Sequence, residues 1–221
     1  MSAPSRTAIG LAAALAFAAG AANAVTVSWT DWTSAPVGAA TVLGTLGVSG
    51  TPVGVTFSGA YGFAQTAGGT NYWSPTAPYL SALVSNAPPA ADIIALSAGG
   101  TGTITFSQAV VDPLIALVSW NGNVVNFGVP IEVLSFGAGF WGNGVPVVNG
   151  AGTGFTGSGE VHGVIRLPGT YTSISFTHTS ENWHGLTVGV VGVAAPIPEP
   201  SAYALLAMGL LALTVARRRR A

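Results

Sequence analysis

The stretch VHGVIRLPGTYTSISFTH, residues 161–178, carries the clearest structural signal in the chain. Apolar residues alternate with other residues in its first half at Val161, Ile165 and Leu167, and in its second half at Ile174 and Phe176. A period of two places these side chains on one face of a strand. The intervening Pro168 limits pairing at strand ends. The stretch therefore predicts two strands, at residues 161–167 and 172–178.

The same pattern continues on both sides of this stretch. β-Branched and aromatic enrichment predicts strands at residues 25–30, 53–58, 103–106, 114–120, 131–136 and 186–193, with weaker candidates at 40–48, 124–127 and 145–148. Asn-Gly pairs that tolerate positive φ separate several of them, at residues 121–122, 143–144 and 149–150. About ten short strands predict an all-β fold, a single two-sheet sandwich with jelly-roll or Greek-key-like wiring.

Two of the segments without a predicted strand have features of their own. Residues 60–92 form the longest irregular segment, with one helical turn expected near Tyr79–Val84. Residues 152–157, GTGFTG, match a Gly-x-Gly-x-x-Gly spacing. Because no helix follows to present its N-terminus to a pyrophosphate, we expect a mobile glycine-rich loop there rather than a dinucleotide site.

Composition excludes several functions for the body of the chain. Between residues 25 and 200 one basic residue, Arg166, stands against seven acidic residues, which gives a net charge of −6. Nucleic acid is therefore not an expected partner, since phosphate binding needs a basic face. The chain has no cysteine, so no disulfide or thiolate metal site is available. No cofactor-binding motif was found, and no cofactor is expected.

The C-terminal tail has a different composition, PIPEPSAYALLAMGLLALTVARRRRA over residues 196–221. Pro198, Glu199 and Pro200 form a rigid triplet that cannot continue a helix. The uncharged residues 201–216 would span roughly 24 Å as a helix, at about 1.5 Å per residue, and thinning of the bilayer would cover the deficit. A cluster of four arginines follows at Arg217, Arg218, Arg219 and Arg220. The tail therefore predicts a transmembrane helix with the arginines on the cytoplasmic side and the body outside; the alternatives are an ordinary tail anchor and a buried core helix.

These three parts in order resemble the PEP-CTERM sorting signal of Gram-negative bacteria. The resemblance implies that Pro198, Glu199 and Pro200 are the motif recognised by an exosortase, a membrane-embedded processing enzyme. It further implies that residues 201–216 are the membrane span and that the arginine cluster is the basic stop. The protein would be anchored transiently in the inner membrane and then reach the cell surface or the extracellular space. The resemblance assigns no activity to the rest of the chain.

The N-terminus predicts export. A short basic segment precedes the apolar residues 8–19, and Ala22-Asn23-Ala24 has the small-x-small pattern of a signal peptidase site. An N-terminal membrane anchor is the alternative. The predicted organisation is a signal peptide at residues 1–24, a β-sandwich domain at 25–194 and a sorting tail at 195–221, which gives the sandwich a signal helix before it and a transmembrane helix after it.

Two clusters in the body are candidate sites. Aromatic rings beside amide groups in residues 60–92 are candidates for stacking on sugar rings, at Tyr61, Tyr72, Trp73 and Tyr79. The alternative is that they fold inward as a small core beneath the loop. Glu160, His162, His178, Glu181 and His184 fall within 25 residues and contain metal-ligand types. Strand phase argues against one shared site, because it places Glu160 and His162 on a wetter face, as weak metal candidates, and His178 on a buried face.

Two functions remain open for the body. The first is a non-enzymatic surface or matrix protein that acts by binding or assembly, in association with exopolysaccharide in a biofilm. The second is a secreted hydrolase acting on glycans, which requires two carboxylates in one cleft. The acids available for such a pair are Asp92, Asp112, Glu132 and Glu160. We favour the non-enzymatic function, because no nucleophile or metalloprotease motif is present.

Overall fold

The computed structural model describes residues 24–48 and 50–193. The predicted signal helix and the predicted transmembrane helix lie outside these residues. Within the described ranges, no helix has the length and apolar character needed to cross a bilayer. The described residues belong to the predicted β-sandwich domain, apart from Ala24.

The described residues form sixteen strands and one short 3₁₀ helix, Ala77–Tyr79. The strands are β1 (Ser28–Trp29), β2 (Asp31–Ser34), β3 (Thr41–Val48), β4 (Thr51–Ser58), β5 (Phe63–Gln65), β6 (Ile93–Leu96), β7 (Gly100–Val111), β8 (Leu114–Trp120), β9 (Val124–Asn126), β10 (Glu132–Gly137), β11 (Gly144–Val148), β12 (Gly154–Gly159), β13 (Val161–Arg166), β14 (Thr170–His178), β15 (His184–Val190) and β16 (Gly192–Val193).

The strands pair into two antiparallel sheets. The seven-stranded sheet has the order β10-β13-β8-β15-β6-β5, with β1 also paired to β15. The nine-stranded sheet has the order β11-β12-β9-β14-β7-β4-β3-β2, with β16 also paired to β7. Many neighbours are distant in sequence, so the chain crosses between the sheets repeatedly. The prediction of an all-β fold built from two sheets is confirmed.

The main core lies between the two sheets. Large side chains from both are fully buried there, among them Trp32, Phe57, Trp120 and Phe155. Trp32 Nε1 donates to Thr187 Oγ1 at 3.0 Å, and Trp120 Nε1 donates to the Gly185 carbonyl at 2.9 Å. Because both indole N–H groups have partners, the rings are buried without leaving a donor unsatisfied.

A second apolar layer covers the outer face of the seven-stranded sheet. Trp73, Tyr79 and Val84 from the long 66–92 segment pack there on Val118 and Val164. Strand β8 is consequently buried on both faces over all seven residues. This arrangement explains why its sequence, LIALVSW, is nearly all apolar rather than alternating.

The structure differs from the sequence prediction at residues 152–157. The expected mobile loop is largely strand β12, which pairs with β11 and β9. A Cβ at Gly157 would lie 2.0 Å from the Trp120 carbonyl oxygen, and one at Gly154 would lie 2.0 Å from the Val125 carbonyl oxygen. The glycines therefore allow close approach of neighbouring backbones rather than mobility.

Candidate functional site

An open cleft lies at the end of the seven-stranded sheet where β8 ends and β13 begins, and its volume is about 370 Å³. Four separate loops and strand ends contribute to it. We call it the acidic–aromatic cleft, and its lining consists of Ser119, Asn121, Trp141, Glu160, Glu181, Asn182 and Trp183.

Hydrogen bonds fix Glu160 in this cleft. Its Oε2 accepts from Ser119 Oγ at 2.5 Å, and its Oε1 accepts from Asn121 Nδ2 at 2.7 Å. Ser119 has a φ of +57°, in the left-handed region. For a residue other than glycine this conformation costs about 1–3 kcal/mol, and such strain is concentrated at functional sites. The end of β8 and the turn after it thus direct two polar side chains, Ser119 and Asn121, at one carboxylate.

Glu181 is the second carboxylate and is held on the same residue. Its Oε2 accepts from the backbone N–H of Asn121 at 3.2 Å. The pKa of Glu181 is raised to about 7: burial is the largest cause, that hydrogen bond lowers the pKa, and the charge of Glu160 raises it. Near neutral pH, therefore, Glu181 carries its proton about half of the time.

Aromatic rings form the wall of the cleft. Trp141 is 52% exposed and lies against Phe140, and Trp183 is half-buried. The centroid of Trp183 lies 6.3 Å from that of Trp141 and 5.0 Å from that of Tyr72. Phe63 extends the cluster beyond Tyr72 and Trp183. The result is a contiguous, partly exposed aromatic cluster beside two carboxylates.

His162 holds the loop that carries Trp141. Its Nε2 accepts from the Trp141 backbone N–H at 3.4 Å, so the proton is assigned to Nδ1, which lies 3.3 Å from the Tyr79 hydroxyl. Burial lowers the pKa of His162 to about 4 and keeps the ring neutral. The prediction of a wetter face for His162 is wrong. Its strand phase is correct, but the 66–92 segment and the loop at Gly139 cover that face.

His178 and His184 form a buried pair behind Glu181. Their Nδ1 and Nε2 atoms lie 3.0 Å apart, and His178 is buried as predicted. Burial lowers the pKa of both rings, that of His184 to about 3. His184 Nδ1 lies 3.5 Å from Glu181 Oε2 and has no hydrogen-bond partner among the described residues.

The cluster of His and Glu residues is thus divided. Glu160 and Glu181 share the cleft, because the β14–β15 loop returns to the end of β8. The phase argument assumed that β13 and β14 lie side by side, whereas they belong to different sheets. Glu160 hydrogen-bonds to Ser119 and Asn121, whereas His162 contacts Tyr79 and the Trp141 backbone N–H, so each already has its own partners. In the described part of the chain, no group of three His, Cys, Asp or Glu residues is placed to hold a metal ion.

The predicted sugar-stacking residues are only partly exposed. Trp73 and Tyr79 are 1% and 0% exposed, so the prediction that they stack on a ligand is wrong; they pack edge to face in the second apolar layer. Tyr72 is half-buried within the aromatic wall. Tyr61 lies elsewhere, with its hydroxyl donating to the Pro36 carbonyl. Sequence reasoning missed Trp141, although adjacent aromatics in a glycine-rich segment (Gly137–Gly144) were a signal for it.

The other acids proposed for a catalytic pair have separate structural roles. Asp92 is buried and accepts from the Trp32 backbone N–H, and Asp112 accepts from the Gly169 backbone N–H. Glu132 forms an ion pair with Arg166 on the surface. Of the four acids considered, only Glu160 lines the cleft, and its neighbour there is Glu181.

The fold and the site together define a β-sandwich-like protein with an acidic–aromatic cleft. Comparison with protein families gives a match: residues 196–220 match the family model described as the PEP-CTERM protein-sorting motif. The tail therefore carries the PEP-CTERM sorting motif that its sequence predicted, and this motif implies export, processing by an exosortase-type enzyme and sorting to the cell surface. No curated protein and no solved structure matches the chain.

Proposed function

We propose that this protein is a non-enzymatic glycan-binding component of the cell surface or extracellular matrix, with the acidic–aromatic cleft as its binding site. The observation that carries the proposal is the exposed Trp141 beside Glu160, Glu181 and two amide side chains. Sugar rings have apolar C–H faces that pack on an indole, and hydroxyl groups that hydrogen-bond to carboxylates and amides. The sorting motif supports the proposal, because it implies that the cleft is carried to the cell surface, where it would meet an exopolysaccharide ligand.

A binding measurement tests the cleft. Titration of exopolysaccharide purified from the producing cells should give saturable binding, weakened at least about fivefold in Trp141→Ala, since one aromatic contact contributes about 1 kcal/mol. Phe136→Ala is the matched control, because Phe136 is 49% exposed and lies outside the cleft lining. Equal loss in both variants, or no binding by the wild type, would contradict the proposal.

For the route to the surface we propose three finer steps. Signal peptidase cleaves after Ala24, the tail holds the protein transiently in the inner membrane, and the exosortase-type enzyme then removes the residues after the Pro-Glu-Pro triplet. Intact-mass analysis of protein from the medium, the cell surface and the membrane fraction measures both ends. Surface protein that retains Met1–Ala24 or the arginine cluster would refute these steps.

A hydrolase is the second candidate, favoured by one observation. Glu160 and Glu181 both hydrogen-bond to Asn121, and the raised pKa of Glu181 would suit a general acid beside a second carboxylate. Release of reducing ends from the same exopolysaccharide decides between the candidates. Release that disappears in both Glu160→Gln and Glu181→Gln establishes the enzyme, whereas binding without release establishes the binding protein.

A further inference from the structure

The cleft contains charge of one sign. Glu160 and Glu181 are its two ionisable side chains, and no lysine or arginine lines it. The only arginine of the described residues, Arg166, forms an ion pair with Glu132. Residues 24–48 and 50–193 therefore supply no cation to balance these carboxylates.

His184, which lies behind Glu181, does not supply a positive charge either. His184 is fully buried, and burial together with His178 lowers its pKa to about 3, so the ring is neutral at physiological pH. Its Nδ1 faces Glu181 without forming a hydrogen bond. Two carboxylates close to one asparagine, without a balancing cation, favour a ligand that brings the positive charge with it.

We propose that the acidic–aromatic cleft selects glycans with free amino groups, such as unacetylated hexosamine units. This inference rests on the proposed glycan-binding function and names its ligand class. A primary ammonium presents three donors and no acceptor, which matches the carboxylate oxygens of Glu160 and Glu181. The pyranose face packs on Trp141, where the ammonium also gains from the negative face of the ring.

Other ligand classes fit this lining less well. A neutral sugar would leave the negative charge of the cleft unbalanced, and a uronic acid would add to that charge. A lysine-rich peptide provides ammonium groups but has no rigid ring face to pack on the indole wall. The amino sugar alone uses both the carboxylates and the rings.

A comparison of three probes tests the inference. Calorimetric titration of the full chain in mild detergent uses a glucosamine hexamer, its fully N-acetylated form and hexalysine. We expect the glucosamine hexamer to bind at least tenfold more tightly than the other two, because acetylation removes the charge-assisted hydrogen bonds. Equal affinity for both sugars would overturn this inference but keep glycan binding, and equal affinity for hexalysine would overturn it in favour of charge alone. If neither sugar binds, this inference is overturned. The proposed glycan-binding function is tested separately, and it fails only if exopolysaccharide is not bound either.

Matched variants separate the two features of the cleft. Glu160→Gln and Glu181→Gln should each weaken glucosamine-hexamer binding about tenfold while changing binding of the acetylated form little. Glu132→Gln, an acid-to-amide change outside the cleft, should change neither. Trp141→Ala should weaken the binding of both sugars. If the Glu160 and Glu181 variants weakened both sugars equally, the carboxylates would not select the amino group and the inference would be wrong.

Discussion

Burial shifts four ionisable side chains in and around the cleft towards their neutral forms. The pKa of Glu181 is raised, and the pKa values of His162, His178 and His184 are lowered, with desolvation as the largest cause in each case. The two kinds of shift affect stability in opposite directions. Below about pH 6.5 the histidines bind fewer protons in the folded state than in the unfolded state. The free energy of unfolding therefore decreases as the pH falls.

Glu181→Gln should stabilise the protein at alkaline pH but not at acid pH. With a folded pKa of about 7 against the ordinary glutamate value of 4.5, wild-type Glu181 keeps its proton in the folded state after the unfolded state has lost it. Its favourable contribution is therefore lost as the pH rises from about 4.5 to about 7. Each pKa unit corresponds to about 1.4 kcal/mol, and solvent screens part of this for a partly exposed carboxyl, so the advantage of the variant should be on the order of 1–2 kcal/mol at pH 8. Urea unfolding between pH 4.5 and pH 8 measures it.

Asn182→Gln is the control for this prediction. Asn182 is an exposed neutral neighbour in the same loop, so the substitution changes the loop without removing a titrating group. Its effect should not vary with pH. A Glu181→Gln advantage that is the same at pH 4.5 and pH 8 would contradict the assigned origin of the shift.

Single residues also show where sequence reasoning succeeds and where it stops. The alternation in residues 161–167 correctly places Val161 and Ile165 in the main core and His162 on the opposite face. The 66–92 segment, about 80 residues earlier in the chain, covers that opposite face. Alternation within residues 161–167 gives no information about this contact. Exposure of Trp141 likewise depends on how its loop packs on His162.

The loop between β10 and β11 determines the position of the aromatic wall. Gly139 packs directly on His162, and a Cβ there would lie 2.2 Å from His162 Cγ. Gly139→Ala should therefore displace the loop and weaken exopolysaccharide binding about as much as loss of the Trp141 ring, without altering any cleft residue. Tryptophan fluorescence and the binding titration measure these effects.

Gly137→Ala provides the comparison for that loop. The nearest atom to its added Cβ would be Pro78 Cβ at 3.8 Å, an ordinary contact. This variant should bind like the wild type. If both variants bind normally, the packing of Gly139 on His162 does not position Trp141.

Strand β12 depends on glycine for its place in the nine-stranded sheet. Because a Cβ at Gly157 would overlap the Trp120 carbonyl, Gly157→Ala should destabilise the fold by roughly 1–3 kcal/mol, as overpacking does. Gly150→Ala, in an open turn with no atom within 4 Å of the added Cβ, should change stability little. Thermal unfolding compares the two, and equal melting temperatures would show that β12 tolerates a side chain.

The strands that sequence patterns missed share a physical reason. Strand β6 is a four-residue apolar run without alternation, and half of the residues of β12 are glycine. Both form because neighbouring strands pair with them, and a window of local sequence does not contain that information. Strand β8, by contrast, begins and ends where its apolar run predicts, at Leu114 and Trp120.

On the scale of the whole molecule, charge is divided between the body and the two terminal segments. Five of the six arginines lie at Arg6 and Arg217–Arg220, whereas residues 25–200 carry a net charge of −6. The near-neutral charge of the full chain, −1, is therefore a property of the unprocessed form. Net negative charge after processing favours solubility and repulsion between copies.

Processing should consequently be visible as a change in charge. Loss of both terminal segments removes five positive charges, so surface protein should focus well below the full-chain isoelectric point of about 6.2. Replacing Pro198 and Pro200 together with alanine removes the rigidity of the sorting triplet without altering charge. This variant should keep its arginine cluster, remain in the membrane fraction and focus at a higher pH than the processed protein.

Pro196→Ala tests whether the effect belongs to the triplet. It removes a proline two residues before the triplet and should leave the acidic surface form unchanged. If the double variant also reached the surface in the acidic form, the tail would be removed without recognition of Pro-Glu-Pro. If the wild-type surface protein focused near pH 6.2, the arginine cluster would still be attached, and the division of charge would persist in the mature molecule.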